Sequence, residues 1–203
     1  MALGTTIKWI NVLGTWNWAV FYSDGRLIVG FDPNVGVWYY DTDGTPIYQL
    51  TTAGWISGFS FLANTILAVA SNNYIFQVES RHLIILRAII TNFSQIRDVT
   101  HFGSGKILLV DSDLQLCGMV DKNGKTIKSW STPGGAPMGV TFDGRNIYIA
   151  DDKTHLIYCC DIDGNVISSG SVIGLPRSLT RYGKDLLMGD ASSSSRVIVV
   201  SRR

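Results

Sequence analysis

Glutamate is nearly missing from this sequence: Glu79 is the single one in 203 residues. Charged residues of both signs make up only 16% of the chain, and they cancel to a formal net charge of +1. That balance removes the bulk electrostatic reason to expect nucleic acid or an anionic membrane as partner, though a local basic groove stays open. Cysteine occurs three times, as Cys117, Cys159 and Cys160. An odd count without framework spacing speaks against a disulfide scaffold. The vicinal Cys159 and Cys160 would point to opposite faces of a strand, which disfavours a shared metal. No apolar run reaches the roughly 18–20 residues that a membrane-spanning helix needs. The N-terminus has no basic region followed by an apolar run of secretory type. The expectation is a chain without a membrane segment, cytoplasmic or carried in a particle. Helical periodicity is also missing. SRHLIILRAII (80–90) comes nearest, but its unbroken Ile/Leu block predicts a buried strand.

What is present is strand chemistry in repeats. Apolar residues reach 46%, and the 21 glycines sit mostly in turns. The clearest unit, PMGVTFDGRNIYIADDKTHLIYCCDIDGNVI (137–167), reads as four strands joined by tight turns. Its second strand has companions ending at Asp32, Ser71, Asp111, Asp151 and Asp190, at steps of 39, 40, 40 and 39 residues. The first strands share an apolar register at Val20, Phe59, Val99, Val140 and Leu179. Third strands pass into fourth strands through Gly-x-x-Ile, ending at Ile47, Ile127 and Ile167. The second repeat has Arg81 for the glycine and keeps Ile84.

The fifth repeat stops at RVIVVSRR, where its fourth strand is due, and the chain opens with the same Gly-x-x-Ile form, GTTI (4–7). The simplest reading pairs residues 4–9 with 196–201. A lone four-stranded sheet of this length cannot bury both faces, whereas five set radially can. The predicted fold is therefore an all-β, five-bladed β-propeller in one domain spanning 1–203. Its blades are placed at about 14–53, 54–93, 94–134, 135–173, and 174–203 plus 4–9.

The unit at 137–167 resembles an NHL-type propeller repeat through GVTFDGRNIYIADDKTHLIYCCDIDGN; blades 1 and 3 match more loosely and blades 2 and 5 are degenerate. NHL propellers and their gluconolactonase-like and lyase relatives usually have six blades, and the family spans ligand binding, protein docking, RNA binding and a few enzymes. The lactonase-type site that the resemblance implies needs an early Glu beside Asn and Asp, and Glu79 lies at a third-strand end, away from the channel.

On one face, the loops between second and third strands would bring together Asp32, Ser71, Asp111, Asp151 and Asp190. Each aspartate is read as accepting backbone N–H groups of the following turn, or else as part of a carboxylate ring for a metal or polar ligand. The turns at 41–44, 121–124 and 161–164 are read as hairpin turns, since they lack the length and terminal Glu of a calcium loop. The strand-one entrances add Trp16, Trp18, Trp55, Arg97, Asp98, Met138 and Arg177. Asp98 stands where the other blades have Ala19, Gly58, Gly139 and Ser178, and is expected to pair with Arg97 or Arg177 or to face a ligand. The tryptophans either cap the gaps between blades or form a stacking platform for sugars. His101 is read as a satisfied interface histidine or an acid–base group. His82 and His155 are read as solvated turn residues. No triad spacing, phosphate loop or metal-binding histidine motif is present.

The candidate ligand-binding set is thus Trp16, Trp18, Trp55, Arg97, Asp98 and Arg177, with no cofactor, metal or catalytic set assigned. The expected function is non-enzymatic recognition of a carbohydrate or protein at this face. The alternatives are a structural module of a larger assembly, such as a virion surface component, and a small lactonase- or lyase-like enzyme.

Overall fold

The computed structural model describes residues 2–11, 17–23, 25–31, 37–50, 57–62, 65–71, 73–79, 84–192 and 196–202, in which twenty strands and no helix occur. The first strand, β1 (Thr6–Asn11), stands apart from the four blades that follow it. Blade 1 is β2 (Asn17–Ser23), β3 (Arg26–Phe31), β4 (Val37–Tyr40) and β5 (Pro46–Leu50). Blade 2 is β6 (Gly58–Leu62), β7 (Thr65–Ser71), β8 (Tyr74–Glu79) and β9 (Ile85–Ile90). Blade 3 is β10 (Ile96–Gly103), β11 (Lys106–Asp111), β12 (Leu116–Val120) and β13 (Thr126–Ser131). Blade 4 is β14 (Pro137–Phe142), β15 (Ile147–Asp151), β16 (Leu156–Cys160) and β17 (Val166–Ser171). Blade 5 is β18 (Pro176–Tyr182), β19 (Asp185–Asp190) and β20 (Arg196–Val200), completed by β1 in the order β1-β20-β19-β18. Every pairing is antiparallel, and the first strands of successive blades touch one another all the way round, β18 against β2 included. The fold is the five-bladed propeller that the repeats predict.

The ring closes inside one sheet. Trp9 pairs with Ile198 and Ile10 with Val197. Beyond the strands, the chain ends rebuild a turn that elsewhere is continuous. In blade 3, Asp121 N–H donates to Lys125 O (2.9 Å) and Gly124 N–H to Asp121 O (3.0 Å). At the seam, Ser201 N–H donates to Thr5 O (2.8 Å) and Gly4 N–H to Ser201 O (2.9 Å). Ser201 stands in for the aspartate and Gly4, at φ 81°, for the glycine at φ 87°.

The core lies between the blades. Alternate residues of each strand serve opposite neighbours: Ile107 and Leu109 pack with blade 2 residues Ile75, Ile89 and Phe93, while Leu108 and Val110 pack with blade 4 residues Val140, Ile147 and Ile149. Cys159 and Cys160 divide in the same way, Cys159 toward blade 5 and Cys160 toward blade 3. All three thiols are free and buried; burial raises the Cys117 thiol strongly and pushes Cys160 up to about 12.

Each outer strand carries a β-bulge at its start, and the extra residue is Ile7, Ile47, Leu86, Ile127 or Ile167. These side chains are 42–58% exposed, so the recurring isoleucine is turned outward by the bulge. In blade 2 the equivalent residue is Leu86 and not Ile84, since the register shifts where β9 passes Gln77 and Val78. Nor is the described part of SRHLIILRAII, residues 84–90, a buried strand. β9 is the outermost strand of its blade, and of its six residues only Ile89 is covered.

The Asp-x-(Asp/Asn)-Gly turns are hairpin turns of Asx type: Asp41, Asp121 and Asp161 each accept two backbone N–H groups on Oδ1. They also latch neighbouring blades. Lys8 of β1 reaches Thr42 O and Asp43, Arg87 of β9 reaches Lys122 O, and Lys128 of β13 reaches Asp163. A Cβ on Gly164 would run into the Trp130 ring, and one on Gly124 into the Ile90 carbonyl. Glycine here permits close approach as well as positive φ.

Candidate functional site

One end of the propeller is organised by three buried aspartates. Asp111, Asp151 and Asp190 end their second strands with no exposure to water. Asp111 Oδ1 accepts the N–H groups of Asp113 and Leu114 (both 2.9 Å), and its Oδ2 accepts those of Ser94 (2.6 Å) and Gln95 (3.0 Å). Asp151 accepts from Lys153, Thr154 and Ala136, and Asp190 from Ser192 and Leu175. Each carboxylate therefore ties the turn after its own strand to the loop that enters strand one. The first half of that role was legible in the sequence, and the second depends on which loops lie side by side. The oxygens are occupied: by backbone donors on both oxygens of Asp111 and Asp151 and on Oδ1 of Asp190, and on Asp190 Oδ2 by Ser192 Oγ (2.7 Å) with Arg196 at 3.6 Å. Among the described residues no three His, Cys, Asp or Glu side chains come together as a metal site.

These clamps hold the entrances of the first strands, where the chain bulges. The register shifts between Asn17 and Ala19, Ile96 and Asp98, Pro137 and Gly139, and Pro176 and Ser178. The extra residues are Trp18, Arg97, Met138 and Arg177. A bulge re-aims the side chain it carries, so two candidate arginines occupy the same structural position two blades apart. Arg97 Nε donates to Ser112 Oγ at 2.8 Å. Arg177 Nη1 donates to Asp152 Oδ2 at 3.1 Å, an ion pair with side chains 16% and 26% exposed. Partial burial holds the Arg97 guanidinium below its ordinary pKa; Asp113 and Asp111 pull it up, while the like charge of Arg177 pushes it down. Met138, at the equivalent bulge of blade 4, is buried.

Asp98 has a different place. It is 1% exposed, and its partners are backbone amides: Val99 N–H to Oδ1 (3.0 Å), and Val140 (2.9 Å) and Leu179 (3.0 Å) N–H to Oδ2. One carboxylate joins blades 3, 4 and 5. Neither Arg97 nor Arg177 pairs with it, contrary to the expectation from sequence, because each arginine is drawn to the loop polar groups beside its own bulge. Burial pushes the Asp98 carboxyl well above the usual carboxylate range, opposed by the three amide donors. A Cβ on Gly58 would strike the Asp98 carboxylate and its Cα, so blade 2 has glycine where blade 3 has the charge.

Trp16 and Trp55 lie outside the described residues, as do Asp32 and His82. Trp18 is on β2, at its bulge. At the other end of the first strands, His101 N–H donates to Ser60 Oγ (2.9 Å), while its ring Nδ1 is buried with no partner among the described residues. His155 sits in a turn at φ 55°, as expected, with Nδ1 3.1 Å from Gly174 O. Glu79 ends β8. Sequence reasoning missed a polar cluster at that far end. Tyr148 Oη donates to Asp143 Oδ2 (3.1 Å), and Arg202 pairs with the same oxygen (3.1 Å), joining the C-terminal residues to blade 4.

No family model and no curated protein matches this sequence. Solved structures do match by shape. Glutaminyl cyclase of Myxococcus xanthus superposes with a TM-score of 0.75 at 10% identity, covering 96% of this chain and 94% of that one. The WD40 β-propeller domain of Doa1 gives 0.60 at 14% identity, over 91% of this chain and 63% of that one. The computationally designed Ika8 protein gives 0.53 at 15%, over 90% of this chain and 57% of that one. At such identities the likeness establishes the propeller fold alone, a fold that serves an enzyme in one case and a WD40 domain in another.

Proposed function

We propose that this chain is a recognition propeller that holds a carbohydrate or protein ligand at the face where the first strands begin. The observation that carries this reading is the pair of strand-one bulges presenting Arg97 and Arg177 beside the clamped loops. Fixed guanidiniums next to Ser112, Asp113 and Asp152 offer directional donors and acceptors in alternation, which suits a polar, uncharged or zwitterionic ligand. Trp16, Trp18 and Trp55, placed at the same entrances by the repeat, would supply stacking surface. Asp98 supports this face from beneath without touching the ligand. The NHL-like form of residues 137–167 belongs with this reading, as that repeat is used for ligand and protein docking.

A second reading, turnover at the same mouth, draws on the match of nearly the whole chain to a glutaminyl cyclase. One experiment separates the two. Wild type and Arg97→Ala/Arg177→Ala are applied to a glycan array and used as bait on immobilised protein libraries, and wild type is screened for lactone, ester and N-terminal glutamine turnover. Binding that falls at least about tenfold in the double variant, with no turnover by wild type, supports recognition. Binding unchanged in the double variant rejects this face, and turnover that the variant loses favours the enzyme.

A further inference from the structure

The rim of the propeller is guarded unevenly. An outermost strand exposes a row of backbone N–H and C=O groups that another chain can pair with, so folded proteins blunt such edges with polar or small residues. β13 does this with Ser129 and Ser131, and β17 with Ser168, Ser169, Gly170 and Ser171. β9 does not. Past its bulge it continues with Arg87, Ala88, Ile89 and Ile90. Ile84, Ile85, Leu86 and Ile90 are 55–59% exposed, and Tyr74, which pairs with Ile90 from β8, is 39% exposed. The single charge on this strand is turned away from the edge: Arg87 Nε donates to Gln77 Oε1 (2.9 Å) and Nη2 to Lys122 O of blade 3 (2.7 Å).

We propose that two copies of this chain associate through blade 2, with β9 of one antiparallel to β9 of the other about a two-fold axis. Such a pairing is self-complementary, as a two-fold interface requires. Each copy places an isoleucine-rich edge against its own equivalent, and the ladder groups of both edges find partners. At roughly 100 Å² apiece, the five exposed side chains offer on the order of 500 Å² per copy, or about 1,000 Å² for the pair, the lower bound for a specific association. A net charge of +1 leaves almost no repulsion between copies. The interface occupies the rim, so the mouth with Arg97 and Arg177 stays open in the dimer.

Sedimentation velocity of the whole chain between roughly 1 and 100 µM tests this. Wild type is expected to move from the mass of a 22.3 kDa monomer toward twice that value. Leu86→Lys and Ile90→Lys, both at exposed positions, should each weaken association about tenfold or more without shifting the thermal midpoint. Ile127→Lys, at the equivalent bulge of blade 3, should leave association as in wild type. A wild type that stays monomeric at about 100 µM overturns the proposal. So does a dimer that survives both β9 substitutions, or one that Ile127→Lys breaks equally.

Discussion

At the scale of single residues, Asp98 is the side chain that joins three blades. It accepts one amide from its own strand and one from each of the next two blades, with no cation beside it among the described residues. Asp98→Asn puts an amino group where a backbone N–H now donates, and is expected to cost about 1–3 kcal/mol in urea unfolding. The pH dependence follows from the direction of the shift. Folding raises this pKa, so the native state binds more protons than the unfolded chain between the unfolded value near 3.9 and the raised folded value. The associated stabilisation is complete below the lower bound and is lost as pH rises through the upper one. Wild type should therefore lose ground to Asp98→Asn as pH climbs from about 4; a difference independent of pH would count against a buried carboxylate whose pKa folding raises. Asp98 was legible in the sequence as the exception to a small-residue position. Its partners were not, since Val140 and Leu179 lie 42 and 81 residues away in the chain.

At the scale of elements, the unit of assembly is the outer strand together with the turn of the following blade. The sequence marks those turns clearly, through Asp at the first position and Gly at the fourth. It does not show that each turn leans on the strand of the blade before it. The two kinds of contact in this latch differ in strength. Lys128 and Asp163 form an exposed ion pair, so Lys128→Ala should change stability by no more than about 0.5–1 kcal/mol. Gly124 combines a φ of 87° with close packing on the Ile90 carbonyl, and Gly124→Ala should cost about 1–3 kcal/mol or more. Equal effects of the two substitutions in thermal or urea melts would show that packing is not what holds the blades together. Leu86 belongs to this scale too. The Gly-x-x-Ile pattern pointed to Ile84, two residues early, because register in an outer strand is set by the bulge and its cross-strand partner Val78, which chain spacing does not report.

For the whole molecule the decisive feature is the seam. β1 pairs with β20, and Ala2, Gly4, Thr5 and Ser201 rebuild across two chain ends the turn that other blades make from continuous chain. Removal of residues 1–11 takes away the fourth strand of blade 5, along with Ile10 from the core between blades 5 and 1. A loss of at least about 3 kcal/mol, or roughly 10 °C in the thermal midpoint, is expected by calorimetry or circular dichroism. A circular permutant that joins residue 202 to residue 2 and opens at an exposed turn should melt like the parent. A truncated chain with unchanged melting would mean that the ring holds without its closing strand.

The sequence by itself determined the number of blades, the order of strands within them and the displaced first strand, because these depend on period-two alternation, turn residues and a spacing near 40 that each repeat carries locally. Only the tertiary structure decided that Asp98 is held by amides of three blades, that Arg97 and Arg177 sit at equivalent bulges and turn toward Ser112 and Asp152, and that β9 lies on the rim with Ile85, Leu86 and Ile90 facing water. The reason is physical. A strand's period says which side chains share a face, but hydrogen-bond partners, bulges and exposure are set by groups that meet only after the blades have packed.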